Sequence, residues 1–131
     1  MDNEQLRRIA DALERLAPPP ANEADAREES WFRWDGARLL AASAGQVLPL
    51  ERFVGVDHQK AALERNFRAL AQGDPAHDML LWGSRGMGKS AMLRSFAQWA
   101  GIGMAQATVD ELATLPQLFE RLRAAERPFL V

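Results

Sequence analysis

Eight consecutive residues, GSRGMGKS at positions 83–90, combine residue types that can hold a chain of phosphates. They match the pattern G-x-x-x-x-G-K-[ST] in full. Glycines allow the positive φ angles at which successive backbone N–H groups point into one loop, and they leave no Cβ in the way of a ligand. Lys89 can bring a positive charge to the outer phosphates, and the Ser90 hydroxyl can bind Mg²⁺. The stretch therefore predicts a site for a nucleoside triphosphate with its magnesium ion.

The candidate site residues follow from this pattern. Lys89 is the candidate catalytic residue because it would neutralise charge on the γ-phosphate, and Ser90 is the candidate metal ligand. The cofactor-binding positions are Gly83, Ser84, Arg85, Gly86, Met87, Gly88, Lys89, Ser90 and Ala91. ATP is the expected nucleotide, although GTP stays open, since the only argument against it is that no [NT]-K-x-D guanine motif occurs. We expect Arg85 to be a solvated loop tip rather than a catalytic arginine, and Trp82 to lie in the core rather than against a base.

The elements on either side would position this loop. Asp78 to Trp82 is a short apolar run, typical of a buried strand that leads into the loop. Residues 89–100 have apolar side chains at helical spacing and predict a helix whose amino end faces the phosphates. Its buried stripe is predicted to be Met92, Leu93, Phe96 and Trp99.

The remaining periodicity predicts an α/β fold. A helix is expected from Asp57 to Gln72, with Asp57 as its N-cap, and a second strand from Met104 to Val109. A helix over 115–124, with Leu118, Phe119 and Leu122 facing inward, and a third strand from Pro128 onward complete the pattern. From Asp78 the order is strand, helix, strand, helix, strand, which predicts a parallel sheet flanked by helices.

The whole chain divides into three segments. Residues 1–17 form an amphipathic helix, which either packs on its own domain or frays free, or else binds a partner or a second copy. Residues 18–30 are proline-rich and then acidic, and predict a flexible linker. Residues 31–131 form the nucleotide-binding domain, with its core from about 50. They begin with a hairpin turning at Asp35-Gly36, in which Phe32 and Trp34 are expected to pack across strands rather than stack on bases.

Composition narrows the class of protein. The chain has 131 residues, a net charge of −2 and no cysteine, so nucleic-acid binding is not indicated and disulfides or thiolate metal sites are excluded. No stretch has the length and apolarity of a membrane span or the form of a signal peptide. We expect a cytoplasmic protein. His58 and His77 lack partners at metal-ligand spacing and are interpreted as surface or structural residues.

Three segments carry a resemblance to a known family. FVGVDHQKAALERNF, DMLLWGSRGMGKSAML and ATVDELATLPQLFERLRAAERPFLV resemble an uncharacterised family of bacterial P-loop ATPases of the AAA+ type, domain-of-unknown-function family 815, over residues 32–131. The resemblance implies a P-loop NTPase-type sheet and places Phe53, Val54 and Gly55 near the adenine. Met87 and Ala91 depart from the threonine and serine typical of that family, at positions where the backbone does the binding.

The resemblance also implies acidic residues after the third strand, and no acidic pair follows FLV in this sequence. We therefore expect the amino-terminal part of a longer ATPase, able to bind Mg-ATP with little or no hydrolysis on its own. The alternatives are a module in which the nucleotide only orders a binding or scaffold surface, and a GTP-binding or kinase-type P-loop protein without ATPase turnover.

Overall fold

The computed structural model describes residues 2–17 and 22–131, and these form a four-stranded mixed sheet with helices on both faces. Two short 3-10 helices, Leu50–Arg52 and Val109–Thr114, lie in the connections. The other elements in chain order are α1 (Asn3–Leu16), β1 (Trp31–Trp34), β2 (Leu39–Ala41), α2 (Asp57–Gln72), α3 (Lys89–Ala100), β3 (Gly103–Gln106), α4 (Leu115–Arg123) and β4 (Phe129–Leu130). The predicted α/β class with flanking helices is confirmed.

The hairpin is part of the main sheet, whose strand order is β2-β1-β3-β4. β1 runs antiparallel to β2, with Phe32 opposite Ala41, and parallel to β3, with Phe32 opposite Ala105. β3 runs parallel to β4, with Gly103 opposite Phe129. The sheet is therefore mixed rather than all parallel, because the hairpin supplies two of its four strands.

Alternate residues of the strands feed two separate hydrophobic clusters. Phe32 and Trp34 of β1 are buried with Leu118 and Leu122 of α4 on one face of the sheet. The opposite face packs on α2 and α3 through a second cluster. Its members are Leu63, Phe67, Met92, Phe96, Ala97 and Ile102, with Trp31, Leu81 and Leu130 against them. This alternation is the period of two that a strand imposes, and it makes three layers. Phe32 and Trp34 are thus core residues, as expected.

The strand predicted at Asp78 to Trp82 is wrong. Residues 74–84 carry no strand assignment and pair with no strand of the sheet. The side chains of Leu80 and Trp82 are each 87% exposed, so Trp82 is not a core residue either. A run of apolar residues indicates a segment that tends to be extended and buried. A strand also needs a neighbour with free N–H and C=O groups. In this sheet the hairpin strand β1, and not segment 78–82, pairs with β3.

Smaller predictions also need correction. Asp57 is the first residue of α2 rather than its N-cap, which is Val56. The second strand ends at Gln106 instead of Val109, because a capping box at Thr108 starts a 3-10 helix there. Trp99 and Phe119, expected to face inward, are 43% and 48% exposed.

The stretch interpreted as a flexible linker is described over residues 22–30, and several of these residues contact the sheet or α4. The Ala24 N–H donates to the Leu39 carbonyl (2.8 Å), and Ala26 is buried in the cluster with α4. Arg127 donates to the backbone carbonyls of Ala26 and Glu29. The rest of that prediction, residues 18–21, lies outside the described residues. No helix among the described residues is both long enough and apolar enough to cross a membrane.

Candidate functional site

The loop at 83–90 is a turn that leads directly into α3. Gly86 and Gly88 have φ angles of 80° and 81°, in the left-handed region that side chains with a Cβ avoid. Gly83 has a φ of 144°. These angles turn the chain between Gly83 and Lys89, and the Lys89 side chain reaches back to the start of the loop.

Lys89 closes the loop from inside. Its Nζ donates to the carbonyl oxygens of Gly83 (2.8 Å) and Ser84 (2.7 Å). In the part of the chain that the structure describes, no carboxylate forms an ion pair with Lys89. Lys89 as a residue is half-buried, and neutral carbonyls are the partners of its ammonium group. An anion that entered the loop would therefore meet a positive charge that no acidic side chain neutralises.

The amino end of α3 adds further donors. Gly88 is the N-cap and no side chain caps the helix there. The first backbone bond of the helix runs from the Met92 N–H to the Gly88 carbonyl (2.9 Å), so the N–H groups of Lys89, Ser90 and Ala91 come before the helical ladder begins. The Ser90 side chain is exposed at this end. Free backbone donors and the positive end of the helix dipole thus lie at the same helix end as Lys89, the residue that carries the ammonium group.

Phe53 lies beside the loop. A Cβ built on Gly88 would come within 3.8 Å of the Phe53 ring, and the ring packs against the cluster of α2 and α3. Of the segment expected near a base, Phe53 is thus the residue that the structure brings to the loop. Val54 is 85% exposed, and Gly55 turns the chain into α2 with a φ of 76°.

The approach to the loop is fixed by α2 rather than by a sheet. Asn66 donates through Nδ2 to the His77 carbonyl (2.6 Å) and accepts from the His77 N–H through Oδ1 (2.7 Å). Leu81 packs on the cluster of α2 and α3. Two side-chain hydrogen bonds and one apolar contact therefore hold the extended segment 74–82 that leads to Gly83.

The other residues singled out from the sequence are distributed over the surface. Arg85 and Met87 are exposed at the loop tip, as are His58 and His77 elsewhere. Among the described residues, no group of three histidine or acidic side chains is arranged to hold a metal ion. A single serine hydroxyl still fits the chemistry of Mg²⁺, which keeps several waters and is bound mostly through the phosphates of its nucleotide.

Two carboxyl groups have a lowered pKa, and both accept hydrogen bonds in turns away from the loop. The Thr108 hydroxyl, and then the Thr108 N–H, lower the pKa of Glu111 by hydrogen bonding. The backbone N–H groups of Arg38 and Ala37 lower the pKa of Asp35. Hydrogen bonds to a carboxylate favour its charged form. Glu111, which follows β3, is thus used to cap a 3-10 helix.

Two features of the site were missed by sequence reasoning. The carbonyl partners of Lys89 depend on how the loop curls, and the Asn66 contact joins residues that are 11 positions apart. A polar residue in a helical pattern usually faces solvent, so the pattern around Asn66 gave no sign of this contact. The one available signal was chemical, since an asparagine side chain can both donate and accept hydrogen bonds.

Comparison with known proteins gave a family and no function. The model of a family described as a protein of unknown function, DUF815, matches residues 27–131. The match covers the hairpin, α2, the loop and everything after it, and it begins after α1. No curated protein and no solved structure matched the chain.

Proposed function

Since the chain belongs to DUF815, a family of proteins of unknown function, we propose its function from its own residues: the loop at 83–90 binds Mg-ATP. The observation that carries the proposal is the placement of Lys89. Its ammonium group lies 2.7–2.8 Å from two carbonyls of a glycine-turned loop, at the amino end of a 12-residue helix. The proposal includes a P-loop NTPase fold of the AAA+ type.

Binding would exchange one set of partners for another. In the chain without ligand, the Lys89 ammonium is satisfied by the carbonyls of Gly83 and Ser84. A phosphate oxygen is a stronger partner because the hydrogen bond then joins two charged groups. The loop N–H groups and the first turn of α3 would take the remaining phosphate oxygens. The lysine that bridges the loop in this structure is thus the residue that would bind the ligand.

Magnesium would enter with the nucleotide. Mg²⁺ bound to the β- and γ-phosphates needs few protein ligands, and the Ser90 hydroxyl at the first turn of α3 is suited to be one of them. The ion would neutralise part of the phosphate charge, which lowers the repulsion within the triphosphate. Ser90 would hold that ion in register with Lys89.

The proposal is binding rather than hydrolysis. The loop, Lys89 and Ser90 account for positioning the triphosphate and neutralising its charge. Hydrolysis also needs a group that orients the attacking water, and the site described above does not include one. ATP is preferred over GTP because Phe53 offers the base an apolar surface beside the loop, and apolar contact does not require the polar partners that guanine recognition does.

The test is calorimetric titration of the whole chain with Mg-ATP, and then with GTP as competitor. We expect saturable, magnesium-dependent binding. Lys89→Ala removes the one charged side chain of the loop interior and should weaken binding about 10- to 100-fold, which corresponds to the loss of one charge-assisted hydrogen-bond donor.

Lys60→Ala is the matched control, because it removes the only other lysine of the chain, on α2 and outside the loop. It should bind like the unmodified chain. The proposal is refuted if folded wild-type chain shows no binding, or if the two lysine variants bind Mg-ATP equally well. Equal competition by GTP would refute only the preference for adenine.

A further inference from the structure

Helix α1 carries an apolar stripe that nothing in the described chain covers. Every residue from 2 to 17 is exposed, and no residue of the helix is buried. The stripe consists of Leu6, Ile9, Leu13 and Leu16, whose side chains are 49%, 48%, 59% and 83% exposed. The interpretation of α1 as a helix that packs on its own domain therefore does not hold.

The stripe has the spacing of a coiled-coil seam. Its residues are separated by three, four and three positions, which places Leu6 and Leu13 at heptad position a and Ile9 and Leu16 at d. The charged residues lie on the opposite side of the helix: Glu4, Arg7, Arg8, Asp11, Glu14 and Arg15. Large apolar residues confined to a and d are typical of helix pairing, whereas a helix that packs on a globular core has a wider stripe.

The positions beside the seam suit a close approach of two helices. They are occupied by Gln5, Ala10, Ala12 and Ala17, which are uncharged and mostly small. Two copies of α1 would therefore bring no like charges together at the flanks, where charged residues usually select or exclude partners. The seam of one copy can therefore pack against the seam of another copy.

The helix is also built to form but too short to be stable alone. Asp2 accepts from the Gln5 N–H (2.7 Å), and the Gln5 side chain accepts from the Asp2 N–H (3.2 Å), which completes a capping box. Yet α1 has 14 residues, and isolated helices of that length are marginal in water. Packing of the seam against another helix would supply the missing stabilisation.

We propose that α1 pairs antiparallel with α1 of a second copy of this chain. The spacing of three, four and three is the same when it is read backwards. In an antiparallel pair Leu6 would thus face Leu16 of the other copy, and Ile9 would face its Leu13, so every residue of the seam has an apolar partner. Antiparallel helices also place opposite ends of their dipoles together, and they keep the acidic first turns, with Asp2 and Glu4, apart.

The first test is sedimentation equilibrium of the whole chain from about 10 µM to about 1 mM. We expect a reversible rise from monomer to dimer mass. Leu13→Glu places a charge in the seam and should weaken the association at least tenfold, since burying an unpaired charge is unfavourable. Arg8→Glu, on the opposite side of α1, is the control and should associate like the unmodified chain.

Cross-linking tests the orientation separately, using the absence of cysteine from the chain. Leu6→Cys and Leu16→Cys variants of different mass are mixed and treated with a short bis-maleimide. Antiparallel pairing predicts mainly the mixed product, whereas mainly homodimeric products would overturn it. A chain that stays monomeric over the whole concentration range, a mass above that of a dimer, or association unaffected by Leu13→Glu would also overturn the proposal.

Discussion

At the scale of single residues, glycine serves two different purposes in this protein. Gly86 and Gly88 are required by conformation, because their φ angles near 80° shape the loop. Gly103 is required by space. A Cβ at that position would come within 2.2 Å of the ring of Phe129, which is the cross-strand neighbour of Gly103 in the sheet. The first requirement belongs to ligand binding and the second to the packing of β3 on β4.

Gly103→Ala should therefore lower the free energy of unfolding by about 1–3 kcal/mol, the usual cost of overpacking a filled site. The Phe129 ring has little room to move, since Phe32 contacts it with ring centroids 5.9 Å apart and Arg127 lies over its face at 4.8 Å. Urea unfolding followed by tryptophan fluorescence measures the change.

The double variant Gly103→Ala with Phe129→Leu is the control for that mechanism. Removing the ring should make the added methyl group nearly neutral, so that the two changes are strongly non-additive. Additive losses would show that the methyl group acts somewhere other than on Phe129.

At the scale of elements, the segment that leads to the loop depends on one helix. Residues 74–82 pair with no strand, and the Asn66 side chain of α2 makes both hydrogen bonds to the backbone of His77. Backbone that lacks ladder partners opens more readily than a strand does. The position of Gly83 relative to α3 is thus set partly by the face of α2 that carries Asn66.

Asn66→Ala should release this segment. We expect amide hydrogen exchange over residues 77–82 to become about fivefold faster, which corresponds to roughly 1 kcal/mol of lost hydrogen bonding. The exchange of α4, which packs on the opposite face of the sheet from α2, should not change. Mass spectrometry of peptic fragments resolves both regions.

Gln59→Ala is the matched control, since it truncates another amide side chain exposed on the same helix. It should leave the exchange of residues 77–82 as it is. If Asn66→Ala also left it unchanged, the segment would be held by the contact of Leu81 with the hydrophobic cluster rather than by the Asn66 bonds.

At the scale of the whole molecule, the two hydrophobic clusters show which segments of the chain belong to the folded unit. Neither contains a residue of α1, whereas the first contains Ala26 from the stretch expected to be a linker. Arg121 forms an ion pair with Glu23, and Arg127 donates to the carbonyl of Glu29. The folded unit therefore begins with residues 22–30, and α1 lies outside it.

A chain shortened to begin at residue 22 should thus unfold at the same temperature as the full chain, within about 2 °C, because none of the described residues that it loses, 2–17, is buried. The comparison is made by calorimetry at a protein concentration low enough to keep the full chain monomeric.

A chain that begins at residue 31 serves as the contrast. It loses Ala26, the ion pair to Arg121 and the carbonyl partners of Arg127, and it should be less stable by about 2 kcal/mol or more. Equal stability of the two shortened chains would mean that residues 22–30 merely rest on the sheet.

Residue types alone were enough to predict the features that short-range interactions control. The repeat of 3.6 residues located α2 and α3 with the bounds that the structure has, and the loop pattern brought lysine, serine and glycines to the start of α3. These features rest on residues within a few positions of each other, where backbone conformation and capping depend on local residue types.

Which apolar stretch becomes a strand depends on contacts between distant parts of the chain. Residues 31–34 and 78–82 both read as strands, yet Trp34 is fully buried with its indole N–H bonded to Thr114 (2.8 Å), and Trp82 is 87% exposed. A strand exists only where another strand offers free backbone donors and acceptors. The pairing joins β1 to β3, which lies about 70 residues later in the chain. No local pattern encodes a pairing over such a distance.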